Sequence, residues 1–165
     1  MNVSTRRKLK QLLAIIAQSV PFKPNMSKIA EMLNISRNNI AYYLLYIEEA
    51  GMIMQLRSQT KGIRSLGKVE KVYLENTNLV YNFADENQSK GNIRETFFLN
   101  QLKVNQQVFS SAVADFKIDD MDFEVGGKNK GLKQIINSKK GFIVKDDIET
   151  AFLNTIPLWH FGLMY

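Results

Sequence analysis

Apolar residues recur at three- and four-residue intervals near the start of the chain, where Leu9, Leu12, Leu13, Ile16 and Val20 mark one face of a helix that must end before Pro21. Ser4 or Thr5 is placed to cap it. Beyond Lys23-Pro24-Asn25 two more helical patterns follow with almost no room between them. Ile29, Ala30 and Leu33 form the inner face of the first, and Ile40, Tyr43, Leu44 and Ile47 that of the second. Asn34, between them, tolerates left-handed backbone, and Ser36 suits the N-cap of the next helix. Together these predict a helix-turn-helix whose second helix turns Arg37, Asn38, Tyr42 and Tyr46 outward. Gly51 ends that helix, and strands are expected at Met52–Ser58 and Val69–Asn76, joined by the basic loop Gln59–Lys68. Helix, helix-turn-helix and two-stranded ribbon predict a winged helix over residues 1–84.

Residues 76–91 are polar apart from Leu79-Val80-Tyr81 and read as a surface connection, with a domain boundary near Asp85. From Asn92 a helix carries Ile93, Phe97, Phe98, Gln101 and Leu102, with Glu95 in its first turns. Strand-like pieces then alternate with turns: Gln106–Ile118, the Asp119-Asp120 turn, Met121–Gly127, a short helix around Leu132 to Ile136, Gly141–Asp147, and an apolar end from Pro157 to Tyr165. The aromatic end, including Trp159 and His160, is expected to serve core or interface. The fold class is α+β / α/β, with a second domain over residues 85–165.

Composition narrows the chemistry. With 45% apolar and 23% charged residues the chain has the makings of a buried core. No apolar run approaches the roughly 18 residues of a membrane span, and the N-terminus lacks a signal-peptide core, so a cytoplasmic protein is expected. The absence of Cys excludes disulfides and thiolate metal sites, and a single His excludes clustered imidazole ligands.

The net charge of +6 is unevenly placed: residues 1–71 hold 12 Lys/Arg against 4 Asp/Glu, whereas residues 72–165 hold 10 against 12. A basic first half favours a polyanion or an acidic protein surface. For DNA the expected contacts are Arg37, Asn38, Tyr42, Lys61 and Arg64, made chiefly to phosphate. Gly62–Val69 imitates the phosphate-binding G-x-x-x-x-G-K-[ST] pattern, yet Val69 has no hydroxyl for a metal ion and a strand follows where a helix is required. Nucleotide binding is therefore not expected there.

In the second half Asp115, Glu124 and Lys128 are the most suggestive group, with Glu95 upstream. A hairpin can bring Asp115 and Glu124 onto adjacent strands, where two carboxylates plus water suit Mg²⁺. A lysine on the same face would polarise a phosphate, and period-two alternation places Glu124, Gly126 and Lys128 together.

At this point several segments carry a resemblance: the stretch from Phe22 through SKIAEMLNISRNNI, then EEAGMI, KVYLENTNLVY, GNIRETFFLNQL, DFEVGGKNKG and IPLWHFGLMY. They resemble the C-terminal portion of bacterial AAA-type ATP-binding proteins, in which a P-loop ATPase module precedes a winged helix and a domain of unknown function similar to the restriction-endonuclease fold. The resemblance implies that Glu95, Asp115 and Glu124 sit where nuclease-like members hold acidic residues. The nuclease pattern is an acid followed by Glu-x-Lys. Here Gly126 stands in the lysine's place and Lys128 comes two residues late, about 6 to 7 Å along a strand. The expectation is a non-catalytic module that binds DNA or a protein partner and works with an ATPase module, with no cofactor of its own and ATP bound only by that module. The alternatives are a Mg²⁺-dependent nuclease using Glu95, Asp115, Glu124 and Lys128, and a winged-helix transcriptional regulator.

Overall fold

The first helix, α1 (Val3–Ala17), buries Leu12, Ile16 and Ala17. The computed structural model describes residues 3–19, 21–59, 67–83 and 89–164, so Val20, Lys61 and Arg64 lie outside the described residues. Because α1 begins at Val3, Ser4 and Thr5 fall inside its first turn and not at the cap. Cations at a helix N-terminus oppose its dipole, and one of them has a local partner: Lys8 Nζ donates to the carbonyl of Asn34 at 3.1 Å.

That carbonyl belongs to the turn between α2 (Met26–Leu33) and α3 (Arg37–Glu49). The Asn25 side chain caps α2 by accepting from Lys28 N, and Asn34 closes it at φ 49°, in the left-handed region. Ser36 then caps α3, its hydroxyl accepting from Asn39 N at 3.3 Å. The facing sides are apolar and buried, Ile29, Ala30 and Leu33 against Ile40, Leu44 and Ile47. After Gly51 at φ 67°, β1 (Ile53–Arg57) pairs with β2 (Val69–Leu74), and Phe22 adds an antiparallel bridge to Val72. Buried Gln55 is satisfied from α3: its backbone N and side-chain Nε2 each donate to a Glu48 carboxylate oxygen at 2.9 Å. Where a polar connection was expected, α4 (Thr77–Phe83) forms. Asn76 caps it by accepting from Leu79 N, and Val80 anchors it at 1% exposure. These elements make up a compact unit of Met1–Gln55 and Val69–Gln88.

The second unit comprises Leu56–Lys68 and Ser89–Tyr165. It opens with α5 (Lys90–Lys103), capped by Ser89 and buried along Thr96, Phe98, Leu99 and Leu102. The strands are β3 (Val108–Ser110), β4 (Phe116–Ile118), β5 (Met121–Gly126), β6 (Gly141–Lys145) and β7 (Thr155–Pro157), and they form one sheet in that order. The first three run antiparallel, and the β5–β6 and β6–β7 pairs are parallel. Phe98 of α5 sits 5.1 Å from Phe116, 5.6 Å from Phe123 and 4.7 Å from Phe161 (ring centroids), which makes one sheet face an aromatic core. The crossover from β5 to β6 holds a 3-10 turn, Leu132–Gln134, shorter than the helix expected there. The chain end forms a 3-10 helix, Leu158–Leu163, that buries Leu158 and Phe161 and leaves Trp159 half exposed. The whole is an α+β protein, and no described helix is long and apolar enough to cross a membrane.

Candidate functional site

Strand alternation on β5 sends Phe123 and Val125 to the aromatic core and Asp122, Glu124 and Gly126 to the opposite face. Two buried carboxylates on that face have different surroundings. Asp122 is fully engaged: Ser111 Oγ donates to one oxygen at 2.7 Å and Ser138 Oγ to the other at 2.6 Å, with Lys117 Nζ 3.9 Å away. It binds the β3–β4 connection and the crossover to the sheet, beside a surface cavity of about 590 Å³.

Glu124 is less completely served. It is 1% exposed, one carboxylate oxygen is paired with Lys130 Nζ, and Oε2 is buried without a hydrogen-bond partner. Asp115 comes level with it, because Phe116 pairs with Phe123 across β4 and β5 and Asp115 immediately precedes β4. The Asp115 carboxylate accepts from Val125 N at 3.0 Å, continuing the ladder through a side chain. Burial pushes the Glu124 carboxyl above the ordinary glutamate range; Lys130 opposes that shift and the charge of Asp115 adds to it.

Asp115 and Glu124 are thus brought together, and Lys128 is not brought to them. β5 ends at Gly126, so the strand alternation that would have carried Lys128 onto the same face stops short of it, and Lys128 lies exposed in the following turn. The lysine that reaches Glu124 is Lys130, which the strand pattern did not single out. Glu95 lies half-buried on α5. Among the described residues no group of three or more Asp, Glu, His or Cys is arranged to hold a metal ion, so Glu95 does not complete a triad. The carboxylates that stand level there are Glu124 and Asp115, one oxygen of which already accepts from Val125 N. The orphaned Oε2 fits a hard divalent ion, since a buried carboxylate oxygen without a partner is costly unless something neutralises it.

Arg94, also unforeseen, secures the end of β5. Its guanidinium lies against Gly127, where an added Cβ would stand 3.0 Å from Nη1, and it pairs with Asp146 at 2.8 Å and Asp147 at 3.3 Å.

In the first unit, burial of Ile40, Leu44 and Ile47 turns the other side of α3 outward. Arg37 and Asn38 are exposed in its first turn, followed by Tyr42 at 60% and Tyr46 at 48% exposure. Asn38, Tyr42 and Tyr46 follow one another at four-residue spacing and so share a face, and Arg37 stands beside the helix N-terminus, where free N–H groups also favour an anion. Of the expected basic contacts, Lys61 and Arg64 lie outside the described residues.

No curated protein and no solved structure matches the chain. The family described as domain of unknown function (DUF8612) matches residues 1–90, which take in α1 to α4 and both strands of the ribbon, and the chain belongs to that family.

Proposed function

We propose that this protein is a DNA-binding module in which the first unit is a winged helix and the second a nuclease-like scaffold, acting together with an AAA-type ATPase module. The observation that carries it is the exposed face of α3, with Arg37, Asn38, Tyr42 and Tyr46 opposite a buried apolar face. A cation, a carboxamide and two aromatic rings on one rigid helix suit phosphate and base-edge contacts. The element order α1, α2, α3, β1, β2 supports the winged-helix reading, and the excess of basic residues in residues 1–71 supports a polyanionic partner. Fluorescence anisotropy of a labelled random duplex at low and high salt tests it. Salt-sensitive binding is expected, with Arg37→Glu lowering affinity about tenfold and reducing the salt slope by about one. Unchanged affinity in Arg37→Glu would sink the DNA reading and leave a protein partner.

A second reading, a Mg²⁺- or Mn²⁺-dependent nuclease, is favoured by one specific observation: the unpartnered Glu124 oxygen, level with Asp115 and beside the Lys130 ammonium. Asp115 and Glu124 would hold the ion, which supplies polarisation of a phosphodiester oxygen and a more acidic bound water. The chain's own residues supply the rest. Val125 N fixes the Asp115 carboxylate, and the packed sheet holds Glu124 dry.

A further inference from the structure

We infer that Lys130 is the cationic member of the Asp115 and Glu124 site, its stem filling the space of the side chain absent at Gly126 and its ammonium presented to a nucleic-acid phosphodiester. The inference rests on the cation-dependent reading above.

The strand ends at Gly126, and the next four residues reverse the chain: the Gly127 carbonyl accepts from Lys130 N at 2.9 Å, closing a turn with Lys128 and Asn129 exposed at its corners. The reversal lays Lys130 back over the strand. A Cβ built on Gly126 would stand 2.7 Å from Cγ and from Cδ of Lys130 and 2.8 Å from its Cβ. The absent side chain and the displaced lysine therefore occupy one space, and glycine is required at 126 for the lysine to cross. From there the ammonium reaches Glu124.

Most lysine–carboxylate pairs on a surface mean little, but here the Glu124 side chain is 2% exposed and that of Lys130 29%. The ammonium has the buried carboxylate on one side and solvent on the other, the side from which a phosphate arrives. Such a lysine has opposite effects on the two ligands. It repels a divalent cation from the carboxylates, and it attracts the phosphodiester. A lysine that only held the turn in place would affect both in the same direction.

The test uses the full chain as wild type, Lys130→Ala, Gly126→Ala, Asp115→Ala and the exchange Gly126→Lys with Lys130→Ala, each checked for fold by circular dichroism. Mn²⁺ affinity is read by isothermal titration and Mn²⁺-dependent nicking of supercoiled plasmid on a gel. In Lys130→Ala, Mn²⁺ binding is expected to tighten about threefold or more as a like charge leaves the site, while nicking falls about tenfold or more. Gly126→Ala displaces the stem without removing the amine, so it should shift each readout in the direction Lys130→Ala does, tighter Mn²⁺ binding and less nicking, and serves if Lys130→Ala does not fold. The exchange should return both readouts toward wild type, and Asp115→Ala should lose both. Weaker Mn²⁺ binding in Lys130→Ala, undiminished nicking, or a folded exchange variant that restores nothing would overturn the role of Lys130 while leaving a cation site. A wild-type chain that neither binds Mn²⁺ nor nicks DNA would remove the cation-dependent reading itself, and the role of Lys130 with it.

Discussion

Thr96 is fully buried on α5, and its hydroxyl lacks a hydrogen-bond partner. A buried hydroxyl stripped of water and left unpaired costs about 1 to 3 kcal/mol, whereas an apolar group of the same shape does not. Thr96→Val is therefore expected to stabilise the protein by about 1 kcal/mol, seen as a higher urea midpoint at unchanged slope; a lower midpoint would mean that the hydroxyl is bonded. Among the described residues Glu124 Oε2 is the other such atom, and it differs because its neighbours are Asp115 and Lys130. A polar defect on the buried side of a helix reads as packing, and one between a carboxylate and an ammonium reads as a site. Neither was legible in the sequence. Glu124 could be singled out by its place opposite Asp115, but its missing partner depends on what packs around it. Lys130 was hidden for a related reason: alternation assigns faces only while a strand lasts, and β5 ends before the lysines begin.

Among the elements, the α2–α3 turn was the most legible because its chemistry is local. Asn34 at φ 49° and the Ser36 cap are properties of single residues that the sequence displays. Asn34→Ala places a Cβ in left-handed backbone and should cost about 1 kcal/mol, whereas Asn34→Gly should fall within about 0.5 kcal/mol of wild type. Paired denaturant melts check this, and equal losses in the two variants would show that the Asn34 side chain, not its backbone, matters. The turn is doubly held, since Lys8 from α1 reaches the Asn34 carbonyl. That contact gives one of the three early cations a structural purpose, and Arg6 and Arg7 remain exposed. α4 was missed because seven residues are too few to set up a period, and its single buried anchor, Val80, looked like part of a loop. The short helix expected around Leu132 to Ile136 is present as a 3-10 helix over Leu132–Gln134, and Gly141 packs closely behind it, where an added Cβ would stand 2.8 Å from Ile135 Cβ.

At the scale of the whole molecule, two units each carry their own core, one helical around Leu12, Ile16, Ile40 and Leu44, the other aromatic around Phe98. The only Trp, Trp159, belongs to the second. Thermal unfolding followed by tryptophan fluorescence should report that unit alone, while helical circular dichroism also weighs α1 to α4, so the two curves are expected to have different midpoints. Coincident curves would show that the units unfold as one. The composition shift near residue 71 foretold two halves of different charge, but no local signal told that the segment Leu56–Lys68 belongs with residues 89–165. The chain leaves the first unit within β1 and returns to it at Val69. This has a consequence for birth on the ribosome. Ser58 bridges to Ser110, so its partner is synthesised about 50 residues later, a delay of about 3 to 10 seconds at ordinary elongation rates. During that interval the first unit has its own residues in hand while the borrowed segment waits, and a translational pause after residue 90 would prolong that wait.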